Sequence, residues 1–367
     1  MRRFYHFLSI LIEIAGFILF TYLGWQLLDR ISLIHDRSFR SLPILISLII
    51  ATLLHIPVHH LGYLLGGRLA GLQLIAFPIL GKALVKEKGR LMLRERLPEQ
   101  EILPVVMASS RKVSRLSWTI YFLGGSFANL LVMILSYLCL ALGLVGCHTL
   151  AGSFLFGLFI SGIWHLTDSL LPIYRMGQPG DMLKLLKLLS SEEDRSYAQV
   201  VGRWLLALSE SDLKEQRNQS LETLPVIFQD KPVSLFAADY LIRAYEDLMW
   251  QGAYEEAGEQ LKTLYTHRRS LPEAWYDLII GEVISCLCLQ GGQEQLDVSD
   301  MLVTDVLRSR LEASSTALSS RSLYLWSVHH VELGKAQDQY YKEIQKKVSS
   351  VPFAFARAGW IGMTVHG

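Results

Sequence analysis

The sequence of 367 residues has little charge and few cysteines. Only 19% of its residues are charged, 51% are hydrophobic, and the formal net charge is +1. A soluble globular chain is nearer one quarter charged, so the composition favours a membrane protein. The near-zero net charge gives no basic field of the kind that nucleic-acid binding requires, so we expect no nucleic-acid partner.

The four cysteines lack the spacing of a zinc ribbon, and no phosphate-binding glycine loop is present. We therefore interpret the cysteines as packing residues. The chain is not expected to use ATP itself.

Long apolar runs are what the sequence has in place of charge. Four of them are long enough to cross about 30 Å of hydrocarbon, and they cover Phe4–Leu28, Leu42–Leu65, Leu116–Val145 and Leu150–Leu171. Because residues 67–116 carry ten Lys and Arg but residues 29–41 carry three, the positive-inside rule places the longer loop in the cytoplasm. With four spans, the N- and C-termini are predicted to be cytoplasmic too.

The predicted fold class is mainly α: a polytopic membrane helix bundle followed by a C-terminal α-helical, repeat-like domain. Residues 1–41 form an N-terminal anchor and external loop, 42–190 the membrane core, and 191–367 the cytoplasmic helical domain. Within the core, alternating residues around Lys88-Gly89 predict a β-hairpin at about 72–96, near the membrane surface. In the tail, Gly252 between two amphipathic runs predicts a helix–turn–helix pair resembling a tetratricopeptide repeat, with Ala257, Leu261 and Leu264 as its buried stripe. An unrelated helical bundle stays the alternative.

Ionisable groups inside a membrane helix cost about 2.5–3.5 kcal/mol each at mid-bilayer, so they usually face a cavity and have a function. The second span contains His55, His59, His60 and Tyr63 but no Asp or Glu. A pair of side chains four residues apart on one helix face can converge on a metal ion. Hydrolysis also needs a carboxylate beside the first of them, to accept a proton from metal-bound water.

Three motifs in order resemble those of the site-2 protease family of membrane-embedded zinc metalloproteases. "HHLGYLLGGRLAG" resembles the His-Glu-x-x-His helix, with His59 at the first histidine, His60 at the glutamate and Tyr63 at the second histidine. "GGSFAN" resembles the small-residue motif of the next span, and "SLLPIYRMGQPGDMLKLL" resembles the segment that supplies the third zinc ligand. The positions that the resemblance assigns to these motifs are Gly62, Gly125, Asn129, Ser169, Pro172 and Asp181.

The resemblance implies a zinc site of His59 and Asp181, but the base and one histidine ligand are replaced by His60 and Tyr63. Tyrosine is an uncommon zinc ligand, and its phenolate is costly at neutral pH. We therefore expect zinc to be possible, with no cofactor the favoured interpretation.

Three functions stay open at this point. The favoured one is a catalytically degenerate membrane scaffold that recognises a membrane or leader peptide, or a protein partner through its helical tail. The second is an active protease with a rearranged site of His59, His165 and Asp181, supported by Asp168. The third is an accessory subunit of a peptide exporter. The family resemblance implies a bacterial cell membrane.

Overall fold

The computed structural model describes most of the chain from Ser41 to Val348. The described ranges are 41–79, 82–95, 105–146, 149–175, 178–211, 221–222, 224, 233–267, 271, 273–313, 317–330 and 334–348, with single positions at 11, 14, 15, 18 and 22. The chain divides into two compact units. The first comprises residues 1–73 and 113–191, and the second comprises residues 74–112 and 192–367.

Three long helices form the centre of the first unit. They are α1 (Ser41–Leu69), α2 (Arg115–Ala141) and α3 (Leu150–Leu170). Residues 46–69 of α1 and the whole of α2 and α3 are long and apolar enough to cross a membrane, which indicates a membrane protein. Apolar helices of spanning length thus occupy the second, third and fourth predicted spans. The predicted first span lies outside the described residues except for isolated positions, and the orientation of the spans stays a prediction.

Helices α1 and α2 approach each other through glycines. A Cβ built on Gly62 would lie 2.3 Å from the Gly124 carbonyl oxygen, and one on Gly66 would lie 2.6 Å from the Ile120 carbonyl oxygen. Membrane helices gain no hydrophobic driving force from lipid, so close backbone packing through small residues replaces it. The predicted motif glycine Gly62 is therefore a packing residue of this helix pair.

A short hairpin and a short helix follow α3 in the first unit. Strands β5 (Tyr174–Arg175) and β6 (Gln178–Pro179) pair antiparallel, and the Gly180 N–H donates to the Ile173 carbonyl (2.8 Å). Helix α4 (Asp181–Ser190) begins directly afterwards. The hairpin thus fixes where Asp181 enters its helix.

The second unit contains a four-stranded sheet of order β3-β2-β1-β4. Its strands are β1 (Gln73–Ile79, counted from Leu74 within this unit), β2 (Lys82–Glu87), β3 (Arg90–Glu95) and β4 (Val106–Ala108). Lys88 and Gly89 both have positive φ (50° and 72°). A two-residue hairpin turn that matches the right-handed twist of its strands requires this at both positions. This confirms the predicted hairpin. The contacts group the sheet with the helical tail, whereas the predicted domain boundaries assign residues 72–96 to the membrane core.

The remainder of the second unit is helical. Its elements are α5 (Glu192–Glu210), α6 (Leu235–Gln251), α7 (Tyr254–His267), α8 (Glu273–Gln290), α9 (Gln293–Leu302), α10 (Asp305–Ala313), α11 (Ala317–Val328) and α12 (Gly334–Val348). Gly252 caps α6 in the left-handed conformation (φ 77°), and Ala257, Leu261 and Leu264 are buried on α7. The predicted turn and buried stripe are confirmed. A repeat architecture for the whole tail stays a prediction.

Candidate functional site

His59 of α1 and Asp181 of α4 lie in contact, although 122 residues separate them. His59 Nε2 lies 3.1 Å from Asp181 Oδ2, and both side chains are mostly buried. Asp181 occupies the first turn of α4, where the helix dipole favours a negative charge. The structure therefore brings together the two residues that the family resemblance assigns to a metal site.

Asn129 of α2 connects His59 to a second histidine. Its Nδ2 lies 3.2 Å from His59 Nδ1, and its Oδ1 lies 3.1 Å from His55 Nδ1. The other nitrogen of His55, Nε2, lies 2.9 Å from the Leu158 carbonyl oxygen of α3. Four polar contacts thus run in sequence through all three membrane-length helices, from the Leu158 carbonyl to Asp181. We call the side chains of His55, Asn129, His59 and Asp181 the polar relay.

The number of donor protons in the polar relay can be compared with the number of its contacts. Both ends, a carbonyl and a carboxylate, only accept hydrogen bonds, while a neutral histidine or an asparagine here offers one donor and one acceptor. The three middle groups therefore supply three protons for four contacts. The count holds for either orientation of the Asn129 amide and either tautomer of the histidines. With these members neutral, three protons thus serve four contacts.

The Asp181 carboxyl is held in its charged form. Burial raises its pKa, but the hydrogen bond with His59, the charge of Lys184 and the nearby Tyr63 hydroxyl together outweigh burial, so the net pKa lies below its ordinary value. Lys184, one turn along α4, is itself buried and places its Nζ 3.9 Å from Asp181 Oδ1. The charged aspartate thus has His59 on one oxygen and Lys184 near the other.

Tyr63 fills the position of the second histidine with an aromatic ring. It is fully buried, and its ring centre lies 4.9 Å from that of His59 and 5.0 Å from that of Tyr121, with Phe122 at 6.1 Å. Its hydroxyl lies close to Asp181 but makes no hydrogen bond of acceptable geometry to any described residue. Tyr63 therefore acts as a packing residue with a spare donor beside Asp181.

Gly125 gives the His59 ring its space. A Cβ at this position would lie 2.6 Å from His59 Cε1 and 2.7 Å from Nε2. Any larger residue would push the imidazole away from Asp181. Gly125 therefore positions a side chain of the relay without taking part in its chemistry.

His165 is held against α1 beside His55. Its Nε2 lies 3.1 Å from the Thr52 carbonyl oxygen, and its ring stacks on that of His55 with centres 5.3 Å apart. Ser169 donates to the His165 carbonyl one turn earlier, so its hydroxyl forms a hydrogen bond within its own helix. No described contact joins His165 to Asp181, and the rearranged site stays a prediction.

The remaining candidate residues differ in exposure. Asp168 and His60 are half-buried, and the ring centre of His60 lies 6.4 Å from that of His59. Pro172 is exposed where α3 leads into β5. His60 therefore meets the relay through an edge-on ring contact with His59.

The sequence interpretation missed Lys184 and the carbonyls of Thr52 and Leu158. Lys184 could have been found, since a lysine three residues after an aspartate faces it on a helix. The two carbonyls carry no sequence signal, because every residue has one.

The polar relay offers two of the side chains that a zinc ion needs. Protein zinc sites use at least three ligands among His, Cys, Asp and Glu. Within the described part of the chain, no group of three such side chains converges. The relay supplies two, His59 Nε2 and Asp181 Oδ2, while the neighbouring position holds the Tyr63 hydroxyl. Comparison of the chain with models of known families, with curated proteins and with solved structures gives no match.

Proposed function

We propose that this protein is a membrane scaffold with the design of an intramembrane metalloprotease and without its hydrolytic chemistry. The membrane core would receive a membrane or leader peptide, and the helical tail would bind a peptide or protein partner. The observation that carries the proposal is the environment of His59. Its two nitrogens contact Asn129 and Asp181, while the neighbouring family position holds a tyrosine packed among aromatic rings.

Loss of the proton acceptor supports the same conclusion. Metal-assisted hydrolysis needs a carboxylate next to the activated water. Helix α1 has none, and His60 stands at that position. A histidine can accept a proton, but its ring is angled edge-on to His59, 6.4 Å away between ring centres. We therefore infer that the core binds without cutting.

The polar relay gives the retained residues a structural task. Buried polar groups in membrane helices need partners, because lipid supplies none. Asn129 and the two histidines link α1, α2 and α3 by hydrogen bonds, and Asp181 anchors α4 to the same cluster. A degenerate protein would keep these residues to hold its helices together, even with no reaction to catalyse.

The test is the zinc content of the purified full-length protein. We expect less than about 0.1 zinc per chain in the wild type, since two ligands bind zinc weakly. The double variant His60→Glu, Tyr63→His restores the family's base and ligand, and we expect it to retain about one zinc per chain. Adding Asp181→Ala to that double variant should abolish the retention and serves as its matched control.

The opposite result would favour the active protease. Stoichiometric zinc in the wild type that disappears in Asp181→Ala alone would show a working three-ligand site and would overturn the scaffold proposal. His165→Ala in the wild type would then identify or dismiss the third ligand.

A further inference from the structure

Leu221, Glu222 and Leu224 lie on α6 and are held by their backbone groups. The Leu221 N–H donates to Asp247 Oδ2 (3.0 Å), and the Leu224 N–H donates to the Tyr240 hydroxyl oxygen (2.7 Å). The Tyr240 hydroxyl in turn donates to the Glu222 carbonyl (3.2 Å). Side chains of α6 thus bind two amides and one carbonyl of three described residues that lie outside helices and strands.

The side chains of the same three residues also contact the helices. Leu221 is 8% exposed and therefore buried against the helices. The Glu222 carboxylate accepts from Arg203 of α5 at 2.6 Å. Leu224 is half-buried three residues after Leu221. The groove therefore holds a leucine, an acidic residue and a second leucine of its own chain.

The segment does not fill the groove. A cavity of about 370 Å³ adjoins Leu221 and Leu224. Its α6 wall includes Tyr240 and Asp247, and its α7 wall is formed by Glu259, Gln260 and Thr263. The hydroxyl, amide and carboxylate groups of α7 are suited to hydrogen bonds with a further stretch of peptide backbone. A longer peptide could occupy the segment's position and this cavity together.

We propose that the groove of α5, α6 and α7 is a receptor for peptides of the pattern Leu-acidic-x-Leu, occupied in the resting protein by Leu221, Glu222 and Leu224 of the same chain. The inference deepens the recognition role proposed for the tail and depends on it. A tethered segment acts at an effective concentration in the millimolar range. A partner peptide at a concentration well below millimolar must therefore gain contacts in the adjoining cavity to displace it, whereas millimolar SLETLP competes without them.

The experiment measures binding of a labelled peptide with the sequence SLETLP, which is that of residues 220–225, to the full-length protein in detergent. The variant Leu221→Ser, Leu224→Ser weakens the resident segment, and fluorescence anisotropy should give a Kd at least about tenfold lower for it than for the wild type. Adding Asp247→Ala should remove the gain, because the amide acceptor is lost. A scrambled peptide serves as the probe control.

A charge exchange makes the test specific. In the Leu221→Ser, Leu224→Ser background, Arg203→Glu should weaken binding of SLETLP. The same protein should bind SLKTLP, in which lysine replaces the glutamate. Equal affinity of the wild type and the weakened variant for SLETLP, or indifference to Arg203→Glu, would overturn the proposal.

A second measurement applies if the weakened variant does not fold. Hydrogen exchange at the Leu224 amide of the wild type should accelerate several-fold with millimolar SLETLP, because displacement exposes that amide. No acceleration would overturn the proposal. Either outcome leaves the zinc measurements on the membrane core unaffected, so failure of this inference and failure of the scaffold proposal are distinguishable.

Discussion

The two units bury polar groups in different ways. In the tail, Arg321 of α11 and Glu282 of α8 form an ion pair whose side chains are 2% and 4% exposed. The guanidinium and the carboxylate compensate each other's charge. In the membrane core, the neutral members of the polar relay supply three protons for four contacts, and the neighbouring Tyr63 hydroxyl makes no hydrogen bond to a described residue.

The difference separates a structural device from a candidate site. The tail's ion pair balances two opposite charges, although Glu282 Oε1 makes no hydrogen bond to a described residue. The polar relay instead links three membrane-length helices and α4 through a series of hydrogen bonds that ends at one carboxylate. We therefore treat the ion pair as a contact between two helices and the relay as the centre of the candidate site.

The largest effect should come from breaking the tail's ion pair. Arg321→Met leaves Glu282 buried without its partner, which should lower the free energy of unfolding by about 3–5 kcal/mol. Thermal unfolding of the full-length protein in detergent, followed by circular dichroism, measures it. The double variant Glu282→Met, Arg321→Met should recover most of the loss. A double variant as unstable as the single would show that the pair is not self-contained.

The next effect concerns the contact between α1 and α2. Gly62→Ala introduces a Cβ 2.3 Å from the Gly124 carbonyl oxygen, so the helices must separate at a cost of about 3 kcal/mol. The separation would also move His59, which lies one turn away on α1. The change should appear as a lower unfolding temperature of the purified protein.

Leu61→Ala is the matched control for the glycine variant. It removes a side chain that is 49% exposed on the neighbouring face of α1. We expect little change for it. Equal destabilisation by the two variants would contradict the role of the glycines in helix packing.

The polar relay itself should give a smaller loss. Asn129→Leu leaves His55 Nδ1 and His59 Nδ1 without their partner, which should cost about 2 kcal/mol. Asn129→Gln offers the same amide on a longer side chain and should recover part of the loss. If Asn129→Leu is neutral or stabilising, the relay does not hold the three helices together.

The sequence predicted the local features of both units and part of the site. The three described spans, the turn at Lys88-Gly89 and the end of α6 at Gly252 follow from hydropathy and from residues that favour positive φ. The meeting of His59 and Asp181 came from the order of motifs. The strand order of the sheet and the bond from His55 to the Leu158 carbonyl join distant segments, and local periodicity carries no information on such contacts.

The smallest effect should be a pH dependence in the tail. Burial raises the pKa of Asp239 to about 6, although Arg243 partly opposes it. The folded state therefore binds a proton more tightly than the unfolded state between about pH 4 and pH 6, and stability from this group falls as pH rises through that range. Asp239→Asn removes the charge, so the variant should gain stability relative to the wild type at pH 7.5 and not at pH 4. The Asp239 side chain is 19% exposed and Arg243 lies 3.6 Å away, which keeps the gain small.

The control is Asp338→Asn, which changes an exposed aspartate on α12 and should show no such trend. A gain for Asp239→Asn that is the same at both pH values would mean that packing, not the buried charge, limits stability there, and the contrast between charged contacts in the tail and the polar relay in the core would be weaker than the ion pair alone suggests.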